Sequence, residues 1–269
     1  MKQPALPLLL LLLLTSPAPG QPAEPTAPSA KAPEAEKQIK FSSTKAQAKA
    51  PRVKAARERR LGDIRRLFTE AGIDYPPAQI LLRGFKNEDL LELWARPSGS
   101  KAYVHLKNYA ICMRSGDLGP KRQRGDMQVP EGFYSITAYN PNSSFLLAML
   151  VSYPNRSDRI RKAGRDVGGN ICIHGDCVTI GCIPLTDRWI EELYLICLDT
   201  ARLRKNPTLV HLFPGRLAGE EWQKLRTEAA AKPELVRFWE EIKPGYERFE
   251  ETQIPARFSI DNRGAYRFR

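Results

Sequence analysis

The chain has 269 residues, with 42 Lys and Arg against 30 Asp and Glu and a formal net charge of +12. That excess suits an anionic partner. The basic residues are scattered and fall in no nucleic-acid motif, so nucleic acid is set aside in favour of anionic wall polymer or lipid headgroups, beside the plain alternative of a solvated basic surface.

The first residues, MKQPALPLLLLLLLTSPAPGQPAEP, carry Lys2, a leucine run from Leu8 to Leu14, and then small residues and prolines. An apolar core of about 7 residues is too short to span a bilayer, which needs roughly 20, so residues 1–20 read as a secretory signal peptide cleaved after Gly20. An uncleaved anchor is the alternative. Residues 21–53 are mostly Pro, Ala, Ser, Lys and Glu, with Phe41 the only aromatic, and read as a disordered tether. All four tryptophans, Trp94, Trp189, Trp222 and Trp239, lie in the remainder, which is long enough for one domain with a sizeable core.

Over residues 54–80, Leu61, Ile64, Leu67, Phe68 and Ala71 recur at helical spacing, which predicts a helix with an Arg-rich outer face, ending near Gly72, and a connection. Next come short apolar runs broken by turn residues: QILLRGF, LLELWA, AYVHLKNYAICM, GFYSITAY and SFLLAMLVSYP. They predict closely spaced strands, with Asn87 in one turn and Pro97-Ser98-Gly99-Ser100 in another. His105 falls in this pattern as a structural residue, as does His211 in the later strand LVHLFP. Thr186 is placed to cap a helix whose apolar stripe is Trp189, Ile190, Leu193, Tyr194, Cys197 and Ala201, with Asp187 at its positive end. Residues 215–269 read as a helical extension around Trp222 and Leu225 and from Pro233 to Ile242. The fold class is mostly β with peripheral helices.

Between these elements lies ICIHGDCVTIGCIPLTD, residues 171–187, with three of the five cysteines and one of the three histidines. Cys172, His174, Cys177 and Cys182 have the ligand count of a zinc site, but the spacing C-x-H-x2-C-x4-C matches no common zinc pattern. Export favours disulfides, and an odd number of cysteines leaves at least one thiol. If that thiol is Cys182, then Cys112, Cys172, Cys177 and Cys197 can pair in three ways or stay reduced. A third reading is catalytic: Cys182 as nucleophile, His174 as base, and glycines that let backbone amides approach an oxyanion. Oxidation of Cys182 with a neighbouring cysteine would then switch such an enzyme off.

The pattern His174-Gly175 followed by Thr179-Ile180-Gly181-Cys182 resembles the active-site signature of the YkuD-type L,D-transpeptidases. The stretch SGDLGPKRQRGDMQVPEGFYSI, residues 115–136, resembles that family's Gly-rich strand and TPxG turn, with Val129-Pro130-Glu131-Gly132 in the turn. The similarity spans residues 81–214, and the tail PELVRFWEEIKPGYERFE resembles the YafK-type branch. Two features differ from most members: the His174 to Cys182 gap is short, and Ile180 and Pro184 stand where histidine and arginine are usual.

The resemblance implies a β-sandwich-like catalytic domain in which Cys182 attacks a diaminopimelate carbonyl of a peptidoglycan stem peptide. It also implies that His174 relays the proton, that backbone N–H groups around Gly181 and Cys182 hold the oxyanion, and that the acyl group passes to an amine or to water. Thr179 supports the loop. Neither metal nor organic cofactor is implied. The partners implied are stem peptides or, in the hydrolase alternative, a wall-linked lipoprotein, with membrane contact only through the signal peptide. A non-catalytic wall-binding or zinc-stabilised module is the remaining alternative. Tyr153, Asn155, Arg156, Asp158 and Arg159, in a polar loop before the catalytic strand, are candidates to bind substrate carboxylates, with Lys121 and Asp126 of similar standing.

Overall fold

The computed structural model describes residues 44–269. The expected signal peptide and the tether up to residue 43 lie outside the described residues. The described residues begin in the last part of the expected tether with helix α1, Thr44–Gln47, followed by α2, Pro51–Glu70. Pro51 occupies the first turn of α2, where its missing N–H costs nothing, and Val53 and Ala56 are buried in the core. The boundary expected at residue 53 therefore falls inside a helix.

Eight strands form one sheet in the order β3-β2-β1-β8-β4-β5-β6-β7. They are β1 Gln79–Phe85, β2 Leu90–Arg96, β3 Val104–Ala110, β4 Gly132–Asn140, β5 Ala148–Val151, β6 Cys172–His174, β7 Ile183–Pro184 and β8 Leu209–Phe213. The pairs β1–β8 and β6–β7 are parallel and the others antiparallel. In β4, Gly132 to Ser135 pair with β8, Ile136 to Asn140 pair with β5, and the register breaks between Ile136 and Ala138. Such a break bends a strand, so the sheet curls at β4.

Helix α4, Asp187–Arg204, packs on both β1 and β5, and every residue from Ile190 to Thr200 is buried. Burial thus extends beyond the predicted stripe to Glu191, Glu192 and Asp199, which must find partners because an unpaired buried carboxylate is costly. They find them on neighbouring elements. Arg57 of α2 forks onto Asp199 with two bonds of 2.7 Å, and Arg59 and Arg60 both hold Glu191. Lys107 and Tyr109 of β3 reach Glu192 at 2.7 and 2.8 Å. The arginine face of α2, expected to point outward, is in part the face that docks on α4.

The opposite face of the sheet carries a second core, in which Phe85, Phe133 and Phe213 meet Trp222 of α5, Gly219–Glu228, and Phe238, Trp239, Ile242 and Tyr246 of α6, Pro233–Thr252. The tail, expected to be helical, ends in a hairpin, β9 Phe258–Ile260 and β10 Tyr266–Phe268. Its aromatic rings cluster on Phe133, with the Phe133–Tyr266 and Phe133–Phe268 centroids 5.2 and 5.3 Å apart.

His211 of β8 lies inside this second core, edge-on to Phe133 at 4.8 Å. Burial pushes its pKa down to about 3, and the Arg83 charge acts in the same direction. Between that value and the ordinary histidine pKa of about 6.5 the unfolded chain binds a proton that the folded chain does not, so stability falls as pH falls through this window. One such proton contributes a slope of about 1.4 kcal/mol per pH unit. His211→Phe is expected to remove about that much slope between roughly pH 4 and 6 in urea unfolding.

Candidate active site

Strand β6 runs antiparallel to β5, with Ala148 opposite His174, and parallel to β7, with Ile173 opposite Ile183 and His174 opposite Pro184. Alternation along β6 puts Ile173 into the core and Cys172 and His174 on the other face. Cys182, just before β7, lies beside Cys172, whose N–H donates to the Cys182 Sγ at 3.4 Å. The Cys182 thiol donates to the Asn170 carbonyl at 3.7 Å. The parallel pairing of two very short strands therefore sets Cys182 beside Cys172, with His174 on the same face of β6 as Cys172.

His174 is buried and stacks on Phe145 with ring centroids 4.5 Å apart. Its Nδ1 lies 2.5 Å from the Gly175 carbonyl. A carbonyl can only accept, so Nδ1 carries the hydrogen and Nε2 keeps the lone pair. Desolvation holds the pKa of His174 below the ordinary histidine value, outweighing the Gly175 hydrogen bond and the Asp176 charge. The ring is therefore a neutral base at neutral pH with its tautomer set by the backbone.

Gly175 is confined on three sides. A Cβ there would sit 2.8 Å from Asp187 Oδ1 and 2.9 Å from both Ile190 Cγ2 and the Phe145 carbonyl. Its own N–H donates to the Phe145 and Leu147 carbonyls. Asp187, in the first turn of α4, accepts the Asp176 N–H at 3.0 Å, and the Leu185 N–H donates to the His174 carbonyl at 2.8 Å. The start of the buried helix thus holds one end of the loop between His174 and Leu185, and β6 holds the other.

Within that loop the Thr179 hydroxyl accepts the Gly181 N–H at 3.2 Å and donates to the Cys182 carbonyl at 2.8 Å. The Gly181 amide, expected to face an oxyanion, is thus turned to Thr179. The need for glycine at 181 is conformational: its φ is +130°, and a Cβ would approach the Gln128 carbonyl to 3.0 Å.

Cys177 is joined to Cys112 by a disulfide, with a Cα–Cα distance of 5.5 Å. The bridge withdraws Cys177 from the four-ligand zinc reading, and among the described residues no group of three or more His, Cys, Asp or Glu is gathered for a metal. Cys197, fully buried in α4, has its thiol pushed up to about 12 by burial, which leaves almost no thiolate near neutrality.

The upstream loop residues fall into two groups. Tyr153 is buried, and its hydroxyl donates to the Lys121 and Val167 carbonyls. Asn155 caps α3, Arg156–Arg161, accepting the Asp158 N–H at 3.0 Å, while its amide donates to the Phe133 carbonyl and the Tyr266 hydroxyl. Asp158 is buried against Arg122 and the Tyr134 hydroxyl, and Lys121 pairs with Asp126 at 2.5 Å. These five residues are committed within the fold, which corrects the carboxylate-binding expectation for Tyr153 and Asn155. Their polar groups knit the loop of residues 115–131 to α3. Arg156 and Arg159 are exposed on α3, touching Asn262 Oδ1 at 3.5 Å and the Pro154 carbonyl respectively. His105 is exposed, bonded to Asn108 and edge-on to Trp94.

Sequence reasoning passed over Phe145, Asn170 and Gln128, which the fold brings to the site from separate loops. No local pattern marks them.

No protein-family profile matches the chain. The chain is 33% identical over 185 residues to the Escherichia coli K12 protein named Putative L,D-transpeptidase YafK, covering 68% of this chain and 71% of that one, and the same figures hold for the O157:H7 protein. Among solved structures, the helical cell shape determining protein Pgp2 of Campylobacter jejuni aligns over 68% of this chain and 73% of its own, at 17% identity and a TM-score of 0.42. The L,D-transpeptidase of Xylanimonas cellulosilytica, residues 123–326, aligns over 54% of this chain and 66% of its own, at 12% identity and a TM-score of 0.29.

The confinement of Gly175 sets an expectation. Gly175→Ala must displace α4 or Phe145, and such overpacking costs about 1–3 kcal/mol. Urea unfolding should show that loss, together with slower alkylation of Cys182.

Proposed function

The chain belongs to the YafK-like L,D-transpeptidase family, and from that membership we propose that it is an exported, peptidoglycan-modifying cysteine enzyme that works through a thioester on Cys182. One observation carries the reading: the Cys182 thiol accepts an amide hydrogen bond from the strand that also bears the buried, neutral His174. In this reading His174 Nε2 removes the thiol proton, and the sulfur attacks the carbonyl of a diaminopimelate residue in a stem peptide. The Cys182 amide donates to the resulting oxyanion in place of the Gly181 amide, which Thr179 engages. Collapse of the intermediate breaks the C–N bond, and the imidazolium returns its proton to the leaving amine. A second amine then takes the acyl group to form a crosslink, or water takes it to release a peptide or lipoprotein.

Arg156 and Arg159 are the candidates to meet substrate carboxylates, since both guanidinium groups are exposed. The periplasm or cell envelope is the proposed site of action. No helix among the described residues is long and apolar enough to cross a membrane.

Mass spectrometry of purified peptidoglycan incubated with the enzyme tests this reading. New diaminopimelate–diaminopimelate crosslinks identify transpeptidation, whereas released peptide or lipoprotein fragments identify hydrolysis. Cys182→Ala is expected to abolish either product with the fold retained, and activity in that variant would remove Cys182 as nucleophile. His174→Gln should lower kcat/KM by about 10²–10⁴. In the native enzyme kcat/KM should fall on acidification only below about pH 6.5, because the neutral ring is the active form and burial lowers its pKa.

A further inference from the structure

Cys112 lies outside every motif of the site, yet it grips the nucleophile loop at two places. Its sulfur is bonded to Cys177, before Cys182 in the chain, and its N–H donates at 3.1 Å to the carbonyl of Pro184, after Cys182. The segment from Cys177 to Pro184 is thus closed into a ring that contains the nucleophile, with Cys112 as its clasp. Cys112 is itself anchored, since the neighbouring Ile111 N–H donates to the Asp89 carbonyl at 2.7 Å.

The loop has little else to hold it. Among the described residues, Cys177, Val178 and Ile180 make no hydrogen bond or ion pair to the body of the fold, and Thr179 bonds only to Gly181 and Cys182. Val178 and Ile180 are 44% and 55% exposed, so apolar packing does not fix them either. Polar ties of the loop to the body resume at Cys182, whose sulfur must meet the Cys172 N–H and the Asn170 carbonyl.

We propose that Cys112 and Cys177 are positioning residues: their bridge closes the ring that presents the Cys182 thiol, and its reduction switches the site off. The part of this concerning turnover rests on the acyl-transfer reading above. A dithiol such as dithiothreitol supplies two electrons and two protons to the bridge, leaving two thiols on the protein and a disulfide on the reductant. The loop between Asp176 and Cys182 then loses its tie. The sulfur drifts from the Cys172 amide, whose hydrogen bond favours the thiolate. A device of this kind makes turnover depend on an oxidising compartment.

The test uses the full chain and two readouts. One is the pH profile of Cys182 alkylation by iodoacetamide, mapped by peptide mass spectrometry so that Cys172 and Cys197 are scored separately. The other is turnover of purified peptidoglycan. In Cys112→Ser/Cys177→Ser the alkylation midpoint should move to higher pH, and kcat should fall by about tenfold or more with KM changed less, in line with the cost of misplacing a reacting group. Dithiothreitol should reproduce both effects in the native chain, reoxidation should reverse them, and the double variant should not respond. An unchanged alkylation profile in the reduced native chain, or in a folded double variant, overturns the proposal. If the double variant does not fold, the reduced native chain decides. If the native enzyme leaves peptidoglycan intact, the acyl-transfer reading fails, and the alkylation profile still decides whether the ring positions Cys182.

Discussion

The burial of α4 is the constraint on which the remaining structure depends. A helix inside the curl of a sheet must satisfy every charge it carries, and Glu191, Glu192 and Asp199 do so through arginines of α2 and through Lys107 and Tyr109 of β3. Removing a partner would leave a buried carboxylate uncompensated, so the places of α2 and β3 are tied to that of α4. The first turn of the same helix holds the site: Asp187 takes the Asp176 amide, and Ile190 fills the space a side chain on Gly175 would need. The position of the catalytic histidine proposed here is thereby inherited from the packing of the core.

A second buried hub holds the opposite wall of the site. Lys86, at the end of β1, lies among the carbonyls of Gly119 and Val129 and the carboxylate of Glu131, which also takes the Trp239 indole N–H and the Gly119 amide. Burial lowers the pKa of Lys86, and the Glu131 charge opposes that shift. The arrangement fixes the loop of residues 115–131, whose Gln128 carbonyl fills the space beside Gly181. The motifs around Gly132 and Cys182, far apart in the chain, are thus two faces of one contact.

The legibility of the sequence follows from the range of the interactions. The strands over residues 79–151 and the helix after Thr186 were visible, because alternation and helical periodicity express them, although the Thr186 side chain makes no capping hydrogen bond. Tyr153, Asn155 and Lys121 were misjudged because a polar residue in a Gly-rich loop looks the same whether it waits for a ligand or holds two loops together. The partners that decide the matter, Val167, Tyr266 and Asp126, are set by the fold. The inward arginines of α2 were hidden for a similar reason: helical periodicity separates apolar from polar faces but does not reveal that another helix has buried carboxylates to offer. The partner of Cys177 lies 65 residues away, and no local pattern selects Cys112 over the alternatives.

The environment of each sulfur, more than the number of cysteines, decides which can react. Cys112 and Cys177 are consumed by their bridge, and Cys197 is held as a neutral thiol by the apolar interior of α4. Cys172 and Cys182 lie side by side at the edge of the sheet, but their relation is unequal: Cys172 gives its backbone N–H to the sulfur of Cys182. A hydrogen bond received from an amide favours the charged form of a sulfur. That asymmetry arises because β6 and β7 run parallel, with the loop from Gly175 to Cys182 returning the chain beside its own strand. The same chain reversal that creates the short gap between histidine and cysteine therefore sets beside β6 the Cys182 thiol proposed as nucleophile.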